Sequence, residues 1–481
     1  MTGIAFILLI KNEISLSYIY YHPYYIYYHP YYPPNQMKFS QVNSDILYEV
    51  NKYIIHIGII KNIAYLCPSL NFTHKVKTLR CEEYSTMDDI IPFTNLTSFT
   101  CQYARNIDDV IIHLTSLETL NCFCCQSVTD NELKRLKQLK TLDCSRCFDI
   151  SNNSLKHLTQ LQILKCSYCK VTDNSIQNLI HLRELDCSYC ENVTDSSIRC
   201  LTSLQSLVCN KNITDASVQY LTSLQTLVCS DNITDASVKY LTSLQSLACG
   251  ENVTDASIQY LTSLQELYCV DCCDITYNSL KYLTSLHTLE CSEFFTDEEL
   301  KYLPSLRSLK CIGCNDVTDD GIKHLTSLET LDCRYCENIT DDGIKYLTSL
   351  QSLHIDELNK ITSISLRCLT SLHDFKCVRC PNIKNEDLQP LTSLQSLDCS
   401  YCKNITDDAF KYMTSLEKLT CFACKNITAN AFKNLISLKS LTCFSCSKIT
   451  YEGLKSLPQL HQITFINSDF MYVSKDMPLK Q

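Results

Sequence analysis

Glycine is nearly missing from this chain, with 7 in 481 residues, and tryptophan is missing altogether. No glycine-rich loop is available to cradle a phosphate, which excludes the common nucleotide-binding motifs. The 12 histidines form no HExxH pair, and no Ser or Cys nucleophile has a base beside it in sequence. The chain therefore reads as carrying no catalytic site, no metal site and no cofactor. Basic residues are in deficit, with 42 Lys and Arg against 52 Asp and Glu and a net charge of −10. That is the reverse of the basic footprint a nucleic-acid-binding protein needs. Long apolar runs are lacking as well. Gly3 to Ile10 is too short for the roughly 20 residues that span a bilayer, and it lacks the basic flank and small-residue cleavage site of a signal peptide. Neither nucleic acid nor membrane is expected as a partner.

Cysteine is what the chain has in excess, at 33 residues. Secreted disulfide scaffolds are short chains with their own cysteine framework, whereas here the cysteines recur with a repeat. The stretch Leu391 to Lys411, LTSLQSLDCSYCKNITDDAFK, supplies the pattern: L-x-x-L-x-C-x-x-C-x-N-I-T-D. With the first Cys as marker, copies run from Cys81 to Cys443, and Ile355 and Phe465 fill the same slot in two more. About nineteen units result, roughly 20 to 22 residues apart, the period of a solenoid. A buried Cys behaves as a small hydrophobe, so unpaired thiols in a reducing compartment, cytosol or nucleus, are expected. The C-x-x-C pairs do not converge as zinc ligands must, because the first Cys points inward and the second sits on a turn.

Within a unit, Leu394, Leu397 and Cys399 alternate as the inward residues of a short strand. The position three after the marker turns the chain off the sheet; it is Cys402 here, and Asn212, Asn232 and Asn252 are expected in that slot in the shortest units. Ile405 goes inward, Thr406-Asp407 provide a helix N-cap, and Phe410 and Met413 line the inner edge of one or two helical turns. The array resembles the cysteine-containing subclass of leucine-rich repeats, with Cys in place of the third Leu. That resemblance implies an α/β leucine-rich-repeat solenoid: a curved parallel sheet on the concave side, short helices on the convex side.

Four segments follow. Residues 1–36 form a Tyr/His/Pro-rich tail, expected to be disordered, or an extension ahead of a true start at Met37. Residues 38–75 read as a helical head, residues 76–467 as the solenoid, and residues 468–481 as a polar tail. In the head, Val42 precedes Asn43-Ser44, which can cap a helix carrying Ile46, Leu47, Val50, Tyr53 and Ile54, broken at Gly58, and a second segment carries Ile59 and Leu66. VNSDILYEVNKYI followed by IIKNIAYLCPSLN resembles an F-box, with Val42-Asn43 where that family carries Leu-Pro. The resemblance implies docking on a Skp-family adaptor of a cullin-type ubiquitin ligase through those eight residues. The alternative is a solenoid cap with no ubiquitin link, leaving a plain interaction module.

Residues at marker −3, −1 and +1 point away from the core, so departures there from Ser and Thr locate a partner site. Glu184, Asp186, Glu266, Glu290, Asp332, Asp374 and Asp398 read as an acidic band. Tyr268, Val270, Ile312, Arg334, Arg379, Phe422, Phe444 and Ile466 are the expected contacts to a protein target, aromatic and Arg residues being favoured at interface centres. Phe422, Phe444 and Ile466 share one slot in successive units and should form a ladder. The near-identical copies in residues 202–264 read as spacer.

Overall fold

The computed structural model describes residues 55–56, 76–81, 93, 95–270, 272–291, 293–449, 454, 457, 460, 462–467 and 470–475. The chain divides into two units, residues 1–233 and 234–481, and both are built from one kind of coil. In the coil after Leu328, the strand Thr330–Asp332 leads through a turn to Thr340, which caps the single helical turn Asp341–Ile344. Leu328, Leu331, Cys333, Cys336, Ile339, Ile344 and Leu347 are all fully buried. The spacing of these residues is what makes the coil. Alternation places Leu331 and Cys333 on the inner side of the strand, and the Thr340 hydroxyl accepts from the Asp342 N–H at 3.2 Å to start the helix.

Each strand pairs parallel and in register with the next, so the central apolar residue forms a column. In the first unit the column runs Leu79, Phe99, Leu120, Leu142, Leu164, Leu185, Leu207 and Leu227. In the second it includes Leu267, Leu289, Leu309, Leu331, Leu353, Phe375, Leu397, Leu419, Leu441 and Ile463. The convex segments are single helical turns as far as Asn385–Leu388; the next two, Asp407–Phe410 and Ala429–Asn434, tighten to 3₁₀ geometry. Phe410 and Met413 are buried as expected.

The first and last described strands differ from the sequence-based expectation. Ile55–His56 is a strand paired parallel with Thr78–Arg80, where a helix broken at Gly58 was expected; the β-branched run around Ile54, Ile55 and Ile57 favours extended chain. Val42, Ile46, Leu47, Val50, Tyr53, Ile54, Ile59 and Leu66 lie outside the described residues. At the other end, Phe470–Lys475 folds back antiparallel on Gln462–Asn467. The expected polar tail is thus in part an added strand that occupies the last sheet edge, a position otherwise open to pairing with another chain.

Sulfur joins neighbouring coils in two directions. Marker thiols donate forward, as from Cys144 to the Lys165 carbonyl at 3.5 Å and from Cys166 to Asp186 at 3.4 Å. Thiols three residues later donate backward to the preceding marker's carbonyl, as from Cys147 to Cys122 at 3.0 Å and from Cys402 to Cys377 at 2.7 Å. Burial pushes the thiols of Cys187, Cys209 and Cys333 up, and that of Cys380 to about 12. Reactivity belongs to the thiolate, so native protein at neutral pH should be labelled quickly by a thiol reagent at exposed Cys200 and Cys273. Half-buried Cys124, Cys229, Cys249 and Cys368 should follow more slowly. Denaturant should release the rest; fast labelling of the buried rows in native protein would contradict this packing.

The shortest coils solve the turn differently from the expectation. Asn210, not Asn212, takes the place of the second cysteine: it is buried, and its Nδ2 donates to the carbonyls of Cys190 at 2.9 Å and Val193 at 3.0 Å. Ser230 does the same for Ile213 at 3.0 Å. Asn212 and Asn232 lie further out and donate to the carbonyls of Glu191 and Lys211, each at 2.6 Å. Asn338, Asn404 and Asn426 fill this outer row in longer coils. The two residues the short coils omit include one with left-handed backbone. Tyr168, Tyr189, Tyr335 and Tyr401 have φ near 60°, and Gly313 has φ 73°, a conformation only Gly adopts without cost.

Where Asp follows the N-cap Thr, it has a second partner that the capping pattern does not reveal. Asp319 accepts from the N–H and hydroxyl of Thr340 in the following coil at 2.7 and 2.6 Å. Asp173 accepts likewise from Thr194, and from the Ser197 hydroxyl at 2.6 Å. The motif repeats at Asp130, Asp195, Asp235, Asp255, Asp297, Asp341 and Asp407. Asn152 and Asn385 substitute with Oδ1 accepting and Nδ2 donating. Where Ser197 stands, other coils carry Gly321 and Gly343; a Cβ there would press on Asp297 and Asp319 respectively.

Candidate binding surface

Outward side chains of the strands, with the turns that follow them, make the open face of each sheet. In the second unit, Val270 and Ile312 from this face border a cleft of about 690 Å³. Phe294 completes its apolar wall, and Glu251, Asp274 and Glu293 stand at its margin. Val270 and Phe294 are 49% and 58% exposed. Lys310 reaches across to Glu290 at 2.6 Å. Tyr268 lies on the strand beside Val270, its hydroxyl 3.3 Å from Glu266. The sequence pattern offered Val270 and Ile312 but missed Phe294, which sits where other coils carry the outer-row Asn. A signal was present: Phe interrupts a run of N-I-T-D.

Further along, Arg334 and Arg379 are bound within the protein. Arg334 holds Asp332 in a fork, Nε and Nη2 each 2.9 Å from a carboxylate oxygen, and His354 Nδ1 lies 3.5 Å from the same carboxylate. Burial alone would raise the Asp332 carboxyl; hydrogen bonds from His354 and Arg334, with their charges, hold it well below the usual range. Arg379 donates to Asp356 at 2.7 Å and to the Tyr335 hydroxyl at 2.8 Å, and its Nε lies 2.8 Å from Glu357. Tyr335 in turn donates to Asp356 at 3.0 Å. Asp356 Oδ1 is buried without a hydrogen-bond partner.

Part of the expected acidic band is therefore local structure. Asp186 and Asp398 each accept the N–H two residues on, from Ser188 and Ser400, at 3.0 Å, which closes the strand end as an Asx turn. Phe422 and Phe444 do meet, ring centroids 6.0 Å apart at 75°, the edge-to-face arrangement that aromatic quadrupoles favour. Ile466 continues their register through its pairing opposite Phe444.

In the first unit a row of rings and cations lies at the turns that follow the strands, with Phe123 at marker +1 and Tyr103, Arg146, Tyr168 and Tyr189 one residue further on. Tyr103 packs edge-on against Phe123 at 5.4 Å, the Arg146 guanidinium lies 5.1 Å from the centre of the Tyr168 ring, and Tyr168 stacks on Tyr189 at 4.2 Å. These residues occupy or flank the left-handed turn positions. Their side chains leave the plane of the sheet, so strand alternation does not find them.

No protein-family model and no curated protein sequence matches the chain. Solved structures do. TLR13 in its complex with ssRNA13 superposes with a TM-score of 0.53 at 20% identity, over 82% of this chain and 64% of that one. The present chain thus spans less than two thirds of the TLR13 chain. Yeast Rad7 with Elc1 gives 0.43 at 20% identity over 71% and 89% of the two chains, and the functional domain of Listeria monocytogenes InlJ gives 0.36 at 23% over 76% and 71%. With the coil described above, the likeness to TLR13 defines the fold as a leucine-rich-repeat solenoid.

Proposed function

We propose that the chain is a non-catalytic binding scaffold that recognises another protein through the open face of its sheet. The observation that carries this is the cleft at Val270, Phe294 and Ile312. There the repeat gives up a backbone-bonding Asn for an exposed aromatic, a change that does nothing for the coil itself. Interfaces draw on such aromatic anchors surrounded by polar groups. The TLR13 neighbour is a complex with RNA, but a chain of net charge −10 repels a polyanion, so a protein is the favoured partner. The unpaired thiols fit a reducing compartment. Crosslinking of the full chain in cells, followed by mass spectrometry, should place crosslinks on this face; crosslinks confined to the convex helices would overturn the reading.

A narrower role rests on the F-box resemblance of residues 42–70: the head docks on a Skp-family adaptor, and the solenoid presents a target for ubiquitination. Residues 37–481 should then retain recombinant Skp adaptor in a pull-down, and Ile46→Asp with Leu47→Asp should abolish retention. Retention unaffected by the double substitution, or none by the parent chain, would leave the plain interaction module.

A further inference from the structure

The occupant of the cleft can be specified from its walls, on the premise that the chain is a protein-binding scaffold. Val270, Phe294 and Ile312 supply apolar surface beside water. Lys310 is already matched to Glu290 at 2.6 Å. Glu251, Asp274 and Glu293 are exposed at the margin, and no ion pair involves them among the described residues. The result is an apolar floor of three side chains within a mixed, mostly polar lining, and a rim of uncompensated negative charge. A matching ligand places an aliphatic side chain on the floor and cations on the rim. The aliphatic stems of Lys and Arg suit such a boundary, since they lie along apolar surface while their heads reach carboxylates.

Phe294 shows that the floor is not a by-product of the repeat. Its counterparts Asn212 and Asn232 each donate to a carbonyl of the coil before, at 2.6 Å. Phe cannot make that bond, and its ring is left 58% exposed. Phe295, next to it, fills the buried site that Ile213 and Ile233 fill in the short coils, so the core needs no contribution from Phe294. We infer that this cleft binds an extended protein segment in which an aliphatic residue is flanked by Lys or Arg.

The test measures fluorescence polarisation of a fluorescein-labelled peptide of alternating Arg and Leu, with a Glu–Leu peptide as control, against the full chain. The Arg–Leu peptide should bind, more weakly as salt rises, and the Glu–Leu peptide should not. Phe294→Asn installs the residue that other coils use at this position, so the fold should persist by circular dichroism while affinity falls at least tenfold. Glu251→Lys with Glu293→Lys should lower affinity to a similar degree. Equal binding of both peptides, no binding of either, or unchanged affinity in both variants would overturn the inference. Crosslinking separates this failure from that of the scaffold reading. Partner crosslinks to the open face that survive Phe294→Asn would sink the cleft alone, whereas no crosslinks to that face at all would sink both.

Discussion

Leu331→Ala is expected to remove about 2–5 kcal/mol of stability, the range for truncating a buried leucine. Leu331 is fully buried and sits in the column between Leu309 and Leu353. Lost apolar contacts and the cavity left behind then add. The damage should stay near its source, because a coil contacts only its neighbours. Urea titration followed by far-ultraviolet circular dichroism gives the size of the loss. Hydrogen exchange read by mass spectrometry gives its place: amides of residues 308–356 should exchange faster, with those of residues 396–444 little changed. A loss under about 1 kcal/mol, or uniform acceleration along the whole second unit, would contradict the packing described.

Acid should loosen the first unit through its aspartates. Burial tends to raise the Asp173 carboxyl, but the hydroxyls of Ser197 and Thr194 and their backbone N–H groups outweigh it and hold the group below its ordinary value. Asp130 is lowered in the same way, against burial, by Ser151 and Ser154. A carboxyl depressed in the folded state contributes stability that is complete above its unfolded pKa, about 3.9, and is lost as pH falls through the folded value. The staples should therefore be intact at neutral pH and fail only below about pH 4. Asn152 provides the control, since it makes the equivalent bonds to Thr172 and Ser175 with an amide that does not titrate. Asp130→Asn with Asp173→Asn should leave a folded protein whose acid-unfolding midpoint moves to lower pH. Asp173→Ala should instead cost about 1–3 kcal/mol at pH 7 by stranding its donors. A double Asn variant that unfolds at the parent's pH would show that the acid response lies elsewhere.

Much of the coil was legible from the chain alone because its inward residues are set by steric periodicity. Leu, Cys and Ile recur at fixed offsets, and nearly all proved buried, with Cys229 and Cys249 half-buried; Thr406 marked where its 3₁₀ turn starts, though its hydroxyl makes no cap bond there. What periodicity could not reveal was which of two equivalent-looking groups performs a task. Asn210 and Asn212 are two residues apart, and a gap in the repeat can be placed on either side of them. Only the hydrogen bonds show that Asn210 replaces the buried cysteine. Asp173 looked like half of a local cap because its larger role is with residues more than twenty positions away. Arg334 and Arg379 were found as outward residues, yet Arg334 is spent on Asp332 two residues before it, and Arg379 on Asp356 and Glu357, which reach it only through the alignment of adjacent strands. Phe294 and Tyr168 escaped because they sit in turns, where alternation between two faces no longer applies.

The aspartate staples have a sense along the chain. In every described pair the acceptor belongs to the earlier coil and the donors to the later one, so a coil leaving the ribosome meets a carboxylate already fixed in place. Assembly can then proceed as vectorial docking of each newcomer onto a finished template. Nascent chains arrested at successive coil boundaries should gain protease resistance in increments, without waiting for the final segment to be made.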